Sequence, residues 1–356
     1  MARGPSMRYS LGMRREAAVL GALLAQNAVL VVAGLGLGGH DVGSGPGRVQ
    51  GVRIGLVFDV GGLGDKSFND AAHAGLLRAR DELGVSVRTV EPGDGSDRAS
   101  ALRQLAAEGN DLVIGVGFIF TDDLKKLAPE FPRTKFAGID YSAAPGDPTP
   151  ANVAGLRFRE HEGAFLVGAI AGLVSKSKVV GFVGGMHIPL IRKFEAGYEA
   201  GVAHVCPACR VLSAYAGTEP KAFADPVMGK ELAAAQYDRG ADIVFHASGK
   251  TGAGVFQAAR ERKRFAIGVD SNQFHEAPCC VLTSMVKKVE VAVFDVIAMV
   301  AAGRFEPGVR ELGLAEDGVA FVLDDDNRAL IPPEVVTRVR GLAADIIAGR
   351  LEVPWR

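Results

Sequence analysis

Short apolar runs alternate with amphipathic stretches along most of the chain. The runs 52–58, 86–90, 111–116, 135–139, 152–157, 178–183, 210–214, 242–246, 265–269 and 280–285 are rich in Val, Ile, Leu and Phe and are bounded by Gly, Asp or Pro. Each has the length of a strand. Stretches with helical spacing lie between them, at 67–83, 97–108, 160–174, 189–203, 226–239, 252–262 and 287–302. This alternation predicts an α/β fold with parallel sheets and right-handed crossovers. So many strands exceed one small doubly wound sheet, and two lobes are the expected packing. A shift in composition at Asp147–Asn152 (DPTPAN) marks a change of lobe. The tail adds a strand pair within 309–323 and a last helix over 333–348, after Pro332 and Pro333. Two lobes in one chain leave a cleft, where ligands preferentially bind.

The first fifty residues depart from this pattern. Arg3, Arg8, Arg14 and Arg15 precede an apolar run from Ala17 to Gly38. A basic start, an apolar middle and small residues near Ala33 read as a secretory signal over 1–33, cleaved after Ala33 or retained as an anchor. Residues 34–50, with the run GSGPG, read as a flexible linker. Both readings place the folded part in the periplasm or otherwise outside the cytoplasm.

Composition narrows the functional classes. The 356 residues carry a formal net charge of -1, which gives a nucleic-acid partner no electrostatic support. There are 18 Phe against one Trp and five Tyr, so Phe supplies most of the aromatic surface, including any ring that stacks on a ligand. Cys206-Pro207-Ala208-Cys209 fits a local disulfide on a surface loop of an exported protein. The state of Cys279 and Cys280 stays open. The spacings match no familiar zinc or redox site, and no metal or cofactor is expected.

Candidate chemistry gathers at strand ends. The first strand runs into Asp59-Val60-Gly61-Gly62-Leu63-Gly64-Asp65-Lys66-Ser67-Phe68-Asn69. A glycine turn there brings acids, an amide and a ring to a helix start at the carboxyl end of a strand, where open α/β sheets bind ligands. Asp65 is placed to cap that helix. Asp140, the Gly184-Gly185 turn leading towards Phe194, the Ser248-Gly249-Lys250-Thr251 turn and Asp270 end four further strands. Five such ends aimed at one cleft suggest a binding site. The two Lys-containing glycine turns miss the phosphate-loop spacing. His187 and His246 read as rim or packed residues, and Glu160, His161 and Glu162 as a solvated or interlobe helix face. Lys287 opens a helix against its dipole, which asks for an anionic neighbour or a ligand hydroxyl. No nucleophile accompanies the histidines, so no catalytic residue is expected.

Four ordered motifs carry a family resemblance: Asp65-Lys66-Ser67-Phe68-Asn69; Gly184-Gly185-Met186 with Ile188-Pro189 and Phe194; Gly268-Val269-Asp270; and Thr283-Ser284-Met285-Val286-Lys287. Over Val52 to Ala302 the chain resembles the basic membrane protein family of ABC-transporter substrate-binding proteins, whose best-understood members are purine nucleoside receptors. The resemblance implies a type I periplasmic-binding-protein fold of two Rossmann-like lobes joined by three crossings with a hinge. The expected lobes are 51–157 plus 271–307 and 158–270 plus 308–356, with the chain crossing back near 271. It also implies that Phe68 and Phe194 stack on a purine and that Asn69 and Asp140 meet the base. Asp270 and Lys287 are then expected to hold ribose hydroxyls, and Asp59 and Gly249 to complete the pocket.

The expected function is to bind a nucleoside, foremost a purine, and to hand it unchanged to an ABC permease, as a monomer without enzymatic activity. Alternatives are a receptor or sensor for a flavin, a sugar or a signalling molecule, and a nucleoside-processing enzyme. The chain departs from the family pattern in two places. Asn272 stands where relatives carry a second acid, and no cysteine precedes Cys206. The second departure gives the expectation that this is not a lipoprotein.

Overall fold

A computed structural model describes residues 1, 51–93, 97–144 and 146–355. The expected signal and linker, 1–33 and 34–50, lie outside the described residues apart from Met1.

The first half builds β1 (Arg53–Val57), α1 (Phe68–Leu83), β2 (Ser86–Val90), α2 (Arg98–Ala107), β3 (Leu112–Val116), α3 (Thr121–Leu127), β4 (Lys135–Ile139) and β5 (Val153–Phe158). The chain then passes into α4 (Glu160–Val174), β6 (Val179–Met186), α5 (Pro189–Val205), β7 (Arg210–Gly217), α6 (Pro226–Asp238), β8 (Ile243–Ala247), α7 (Gly252–Arg262), β9 (Phe265–Asp270) and β10 (Val281–Lys287). It ends with α8 (Val289–Ala301), β11 (Gly308–Leu312), β12 (Val319–Phe321) and α9 (Pro333–Ile347). Two six-stranded sheets result, ordered β11-β5-β4-β3-β1-β2 and β12-β10-β9-β8-β6-β7. Every pairing is parallel except β12 with β10. Central strands such as β3 (LVIGV) and β8 (IVFHA) are buried along their whole length. Helices cover both faces of a parallel sheet, which is why these strands read as unbroken apolar runs.

The type I two-lobed architecture is present, with differences in where the lobes exchange chain. Strand β10 belongs to the second sheet, so the return crossing lies at Lys288 rather than near 271. The following helix does pack on the first lobe: Gly75 of α1 lies so close to α8 that an added Cβ would sit 2.3 Å from the Glu290 carbonyl oxygen. The tail strands do not pair with each other. Strand β11 runs parallel to β5 at one sheet's edge, and β12 runs antiparallel to β10 at the other's. The third crossing lies between them, so residues 308–312 join the first lobe, not the second. Helix α3 was not anticipated.

A continuous apolar core runs beneath α1 and α8 of the first lobe and α4 and α5 of the second, including Leu76, Val293, Phe165 and Phe182. Two smaller cores fill the outer faces, one under α2 and α3 and one under α6 and α7. Cys206 and Cys209 are bonded in the turn between α5 and β7, as the spacing suggests, and the adjacent Cys279 and Cys280 are bonded as well. Among the described residues, no helix is long and apolar enough to cross a membrane.

Candidate functional site

The loop after β1 is held open by its own side chains. Gly61, Gly62 and Gly64 all have positive φ, which glycine adopts at little cost. The Asp65 carboxylate accepts the backbone N–H groups of Ser67 (2.9 Å), Asn69 (2.8 Å) and Asp70 (3.1 Å), and so caps the start of α1. Asn69 donates its side-chain amide to Asp65 at 3.1 Å and accepts the Asp59 N–H at 2.9 Å. Asp65 therefore orients Asn69, and Asn69 fixes the backbone of Asp59. Across the loop, a Cβ on Gly117 would lie 2.1 Å from Asp59 Oδ2, so the strand β3 turn must carry glycine there.

Asp140, just after β4, and Asp270, at the end of β9, both adopt left-handed backbone with φ of 58° and 63°. Aspartate tolerates this region better than most residues, and such strain persists where surrounding structure enforces it. Ser67 donates its hydroxyl to Asp270 Oδ2 at 2.6 Å, which links the first lobe's loop to the second lobe's strand.

These strand ends enclose one cavity between the lobes. Asp59, Phe68, Asn69, Asp140, Phe194, Gly249, Asp270 and Lys287 all line it. It encloses about 550 Å³ of space between atoms, open mouth included. Phe68 and Phe118 come from the first lobe, Phe194 and Phe223 from the second. The Phe118 and Phe223 rings meet edge to face across the lobes, with centroids 6.4 Å apart.

Lys287 is the electrostatic centre. It ends β10 instead of opening the next helix, and its side chain is 3% exposed. The ammonium donates to Asp140 Oδ1 at 3.0 Å and Oδ2 at 2.7 Å. It lies 3.8 Å from Glu160 Oε1 and 4.0 Å from Asp270 Oδ1, and 4.6 Å from the Phe68 ring centroid. Burial alone would lower its pKa, but Asp140, Asp270 and Glu160 together push it above the ordinary lysine value. Burial raises Asp59 to about 7, against a hydrogen bond from the Val60 N–H, with Asp140 and Asp65 adding to the rise. Burial raises Asp270 to about 6, opposed by Lys287 and Ser67.

The helix face at the start of α4 is not solvated: Glu160 is fully buried and Glu162 nearly so. His246 is buried, with Nε2 3.1 Å from Gln273 Oε1, and burial lowers its pKa to about 4. His187 is exposed and its ring packs on Tyr215. Neither histidine lines the cavity.

The PnrA-like family of ABC transporter substrate-binding proteins (Bmp) matches residues 52–356. The chain belongs to this family. The CD4+ T-cell-stimulating antigen of Listeria monocytogenes is 33% identical over 85% of this chain and 87% of its own length. An uncharacterized lipoprotein of Pyrococcus abyssi is 35% identical over 85% of this chain and 75% of its own. A crystal structure of an ABC transporter solute-binding protein from Aeropyrum pernix K1 superposes with a TM-score of 0.78. It is 32% identical and covers 85% of this chain and 94% of that one. As a PnrA-like protein the chain is a solute-binding component that serves a small molecule and an ABC permease.

These relatives correct one expectation. The missing early cysteine led to a protein without a lipid, yet relatives as similar as the archaeal one carry the name lipoprotein. The lack of a cysteine before Cys206 is too little to set this PnrA-like protein apart from them.

Sequence reasoning missed several groups around the cavity. Phe118 follows Gly117 at a strand end, the same signal that exposed Asp59, and was legible. Phe223 closes a single turn of 3₁₀-helix, Pro220–Phe223, several residues past the end of β7 rather than directly at a strand end. Glu160 and its partner Lys193 lie outside that cavity, on α4 and α5, and meet only where those two helices pack.

Proposed function

We propose that this binding protein captures a nucleoside, foremost a purine nucleoside, between its lobes and releases it unchanged to a permease at the outer face of the membrane. The observation that carries the reading is the pairing of surfaces in one cavity: phenylalanines from both lobes beside Asp59, Asp140, Asp270 and Lys287. A flat base suits rings on both sides, each stacked aromatic contributing ~1–3 kcal/mol. Ring N–H and ribose O–H groups suit carboxylates, through hydrogen bonds of ~1.5–3 kcal/mol. Phe68 and Phe194 are the assigned stacking rings. Asn69 and Asp140 take the base edge, Asp270 and Lys287 the ribose, and Asp59 and Gly249 complete the wall. The surplus of acids disfavours a nucleotide. Closure occurs by hinging at the three crossings, with a single copy of the chain forming the whole site.

Calorimetric titration of a nucleoside panel tests this. Inosine, guanosine and adenosine bind one to one, and inosine is recovered intact. Phe194→Ala and Asp270→Ala each weaken binding by ~1–3 kcal/mol with the fold retained. Binding of a sugar or flavin with no response to any nucleoside contradicts the proposal.

A further inference from the structure

Glu160 poses a problem that the ligand cavity does not explain. Its carboxylate is fully buried at the start of α4, and it does not line the cavity. Oε2 accepts from Lys193 Nζ at 3.2 Å, while Oε1 has no hydrogen-bond partner among the described residues. A buried carboxylate oxygen left without a donor is costly. Besides Lys193, the Lys287 ammonium is close by, 3.8 Å from Oε1, too far to hydrogen-bond. Lys287 instead donates to both oxygens of Asp140, so the carboxylate that faces the cavity is occupied by a neighbouring lysine.

We propose that Glu160 is a second seat for the Lys287 ammonium, taken up when a ligand donor claims Asp140. It rests on the reading of the cavity as the ligand site. The shift needed is under about 1 Å, from 3.8 Å to hydrogen-bond length. It exchanges one ion pair for another, so Asp140 is released to the ligand without leaving Lys287 unpaired in a buried place. Asp270 is the rival seat, 4.0 Å from Lys287. It lines the cavity, where a ligand competes for it, and one of its oxygens already accepts from Ser67. Glu160 lies outside the ligand cavity, on a second cleft that it borders with Asp140 and Lys193. Lys193, which also donates to the Phe158 carbonyl at 3.2 Å, fixes the far oxygen and aims the free one at Lys287. Glu160 is thus a positioning residue: it acts on the ligand through Lys287 and Asp140.

The ligand-free Asp140→Asn protein tests the seat without reference to any ligand. Its crystal structure is expected to place Lys287 Nζ within ~3.2 Å of Glu160 Oε1. Lys287 remaining on Asn at position 140, or turning to Asp270, overturns the proposal. The second test is a binding cycle with inosine as the probe. Glu160→Gln keeps the volume and an acceptor for Lys193, and is expected to weaken inosine binding at least about tenfold, the equivalent of one charge-assisted hydrogen bond. In the Asp140→Asn background the same change is expected to cost nothing further. Equal losses in both backgrounds would reduce Glu160 to a structural residue and also overturn the proposal. Failure of the unmodified protein to bind inosine would sink the nucleoside reading alone, because the ligand-free structure still decides the seat.

Discussion

Lys287 holds together a buried cluster that is acidic on balance. Its removal leaves Asp140, Asp270 and Glu160 without their shared cation, and breaking a buried pair from one side costs ~3–5 kcal/mol. Lys287→Met is therefore expected to lower the urea midpoint markedly at neutral pH and to recover part of that loss in acid, where the carboxylates take up protons. A variant as stable as the parent at pH 7 would show that the cluster is not electrostatically coupled. Asp59 and Asp270 give a second expectation. Burial holds them at about 7 and about 6, above the ordinary 3.8, so the folded protein binds protons more tightly than the unfolded chain. Their contribution favours the fold in acid and is lost as pH rises through those values. Ligand donors favour the ionised carboxylates, so binding is expected to release protons and to tighten from about pH 5 to about pH 8. Calorimetry in buffers of different ionisation enthalpy reads this directly, and proton uptake would reverse the assignment. The strand-end acids were legible because a carboxylate after an apolar run has few other roles. The partners behind the wall, Glu160 and Lys193, were not, because their meeting depends on how two helices are brought together.

Helix α4 approaches α5 backbone to backbone. A Cβ on Gly201 would lie 2.0 Å from the Phe165 carbonyl oxygen, and one on Gly168 2.3 Å from that of Tyr198. Gly201→Ala must force the helices apart, at ~1–3 kcal/mol. Thermal unfolding is expected to show a lower Tm, and an unchanged Tm would mean the helices tolerate wider spacing. The same elements show where local pattern runs out. The central strands were visible because parallel strands buried on both faces are unbroken apolar runs, while the edge strands β2 and β7 are partly exposed. Strand β11 (GVREL) is half exposed, and nothing in five residues names the sheet edge it will join. Strand β10 (VLTSMVK) looks alike on either side of a crossing, so the crossing at Lys288 was misplaced. The seven residues of α3 are too few to show a helical period.

Besides their shared apolar core, the lobes meet through polar and aromatic contacts around the cavity. Lys287 reaches Asp140, Ser67 reaches Asp270, and Gln273 donates to the Lys66 carbonyl at 3.0 Å. The Phe118–Phe223 contact spans the same gap. On the proposed function these contacts couple ligand capture to lobe closure, with the chain bending at the three crossings. Small-angle scattering is expected to show a smaller radius of gyration with a saturating nucleoside than without, and identical profiles would mean the lobes do not hinge. The two-lobed plan was readable from the number of strands alone. Which segments exchange between lobes was not, because that depends on pairings between distant strands.

The most direct measurement is a crystal structure of the protein with a purine nucleoside. The account predicts the base between Phe68 and Phe194, its edge on Asp140 and its ribose against Asp270, with the glycosidic bond intact. Rings turned out of the cavity, or a nucleoside seated elsewhere, would contradict it.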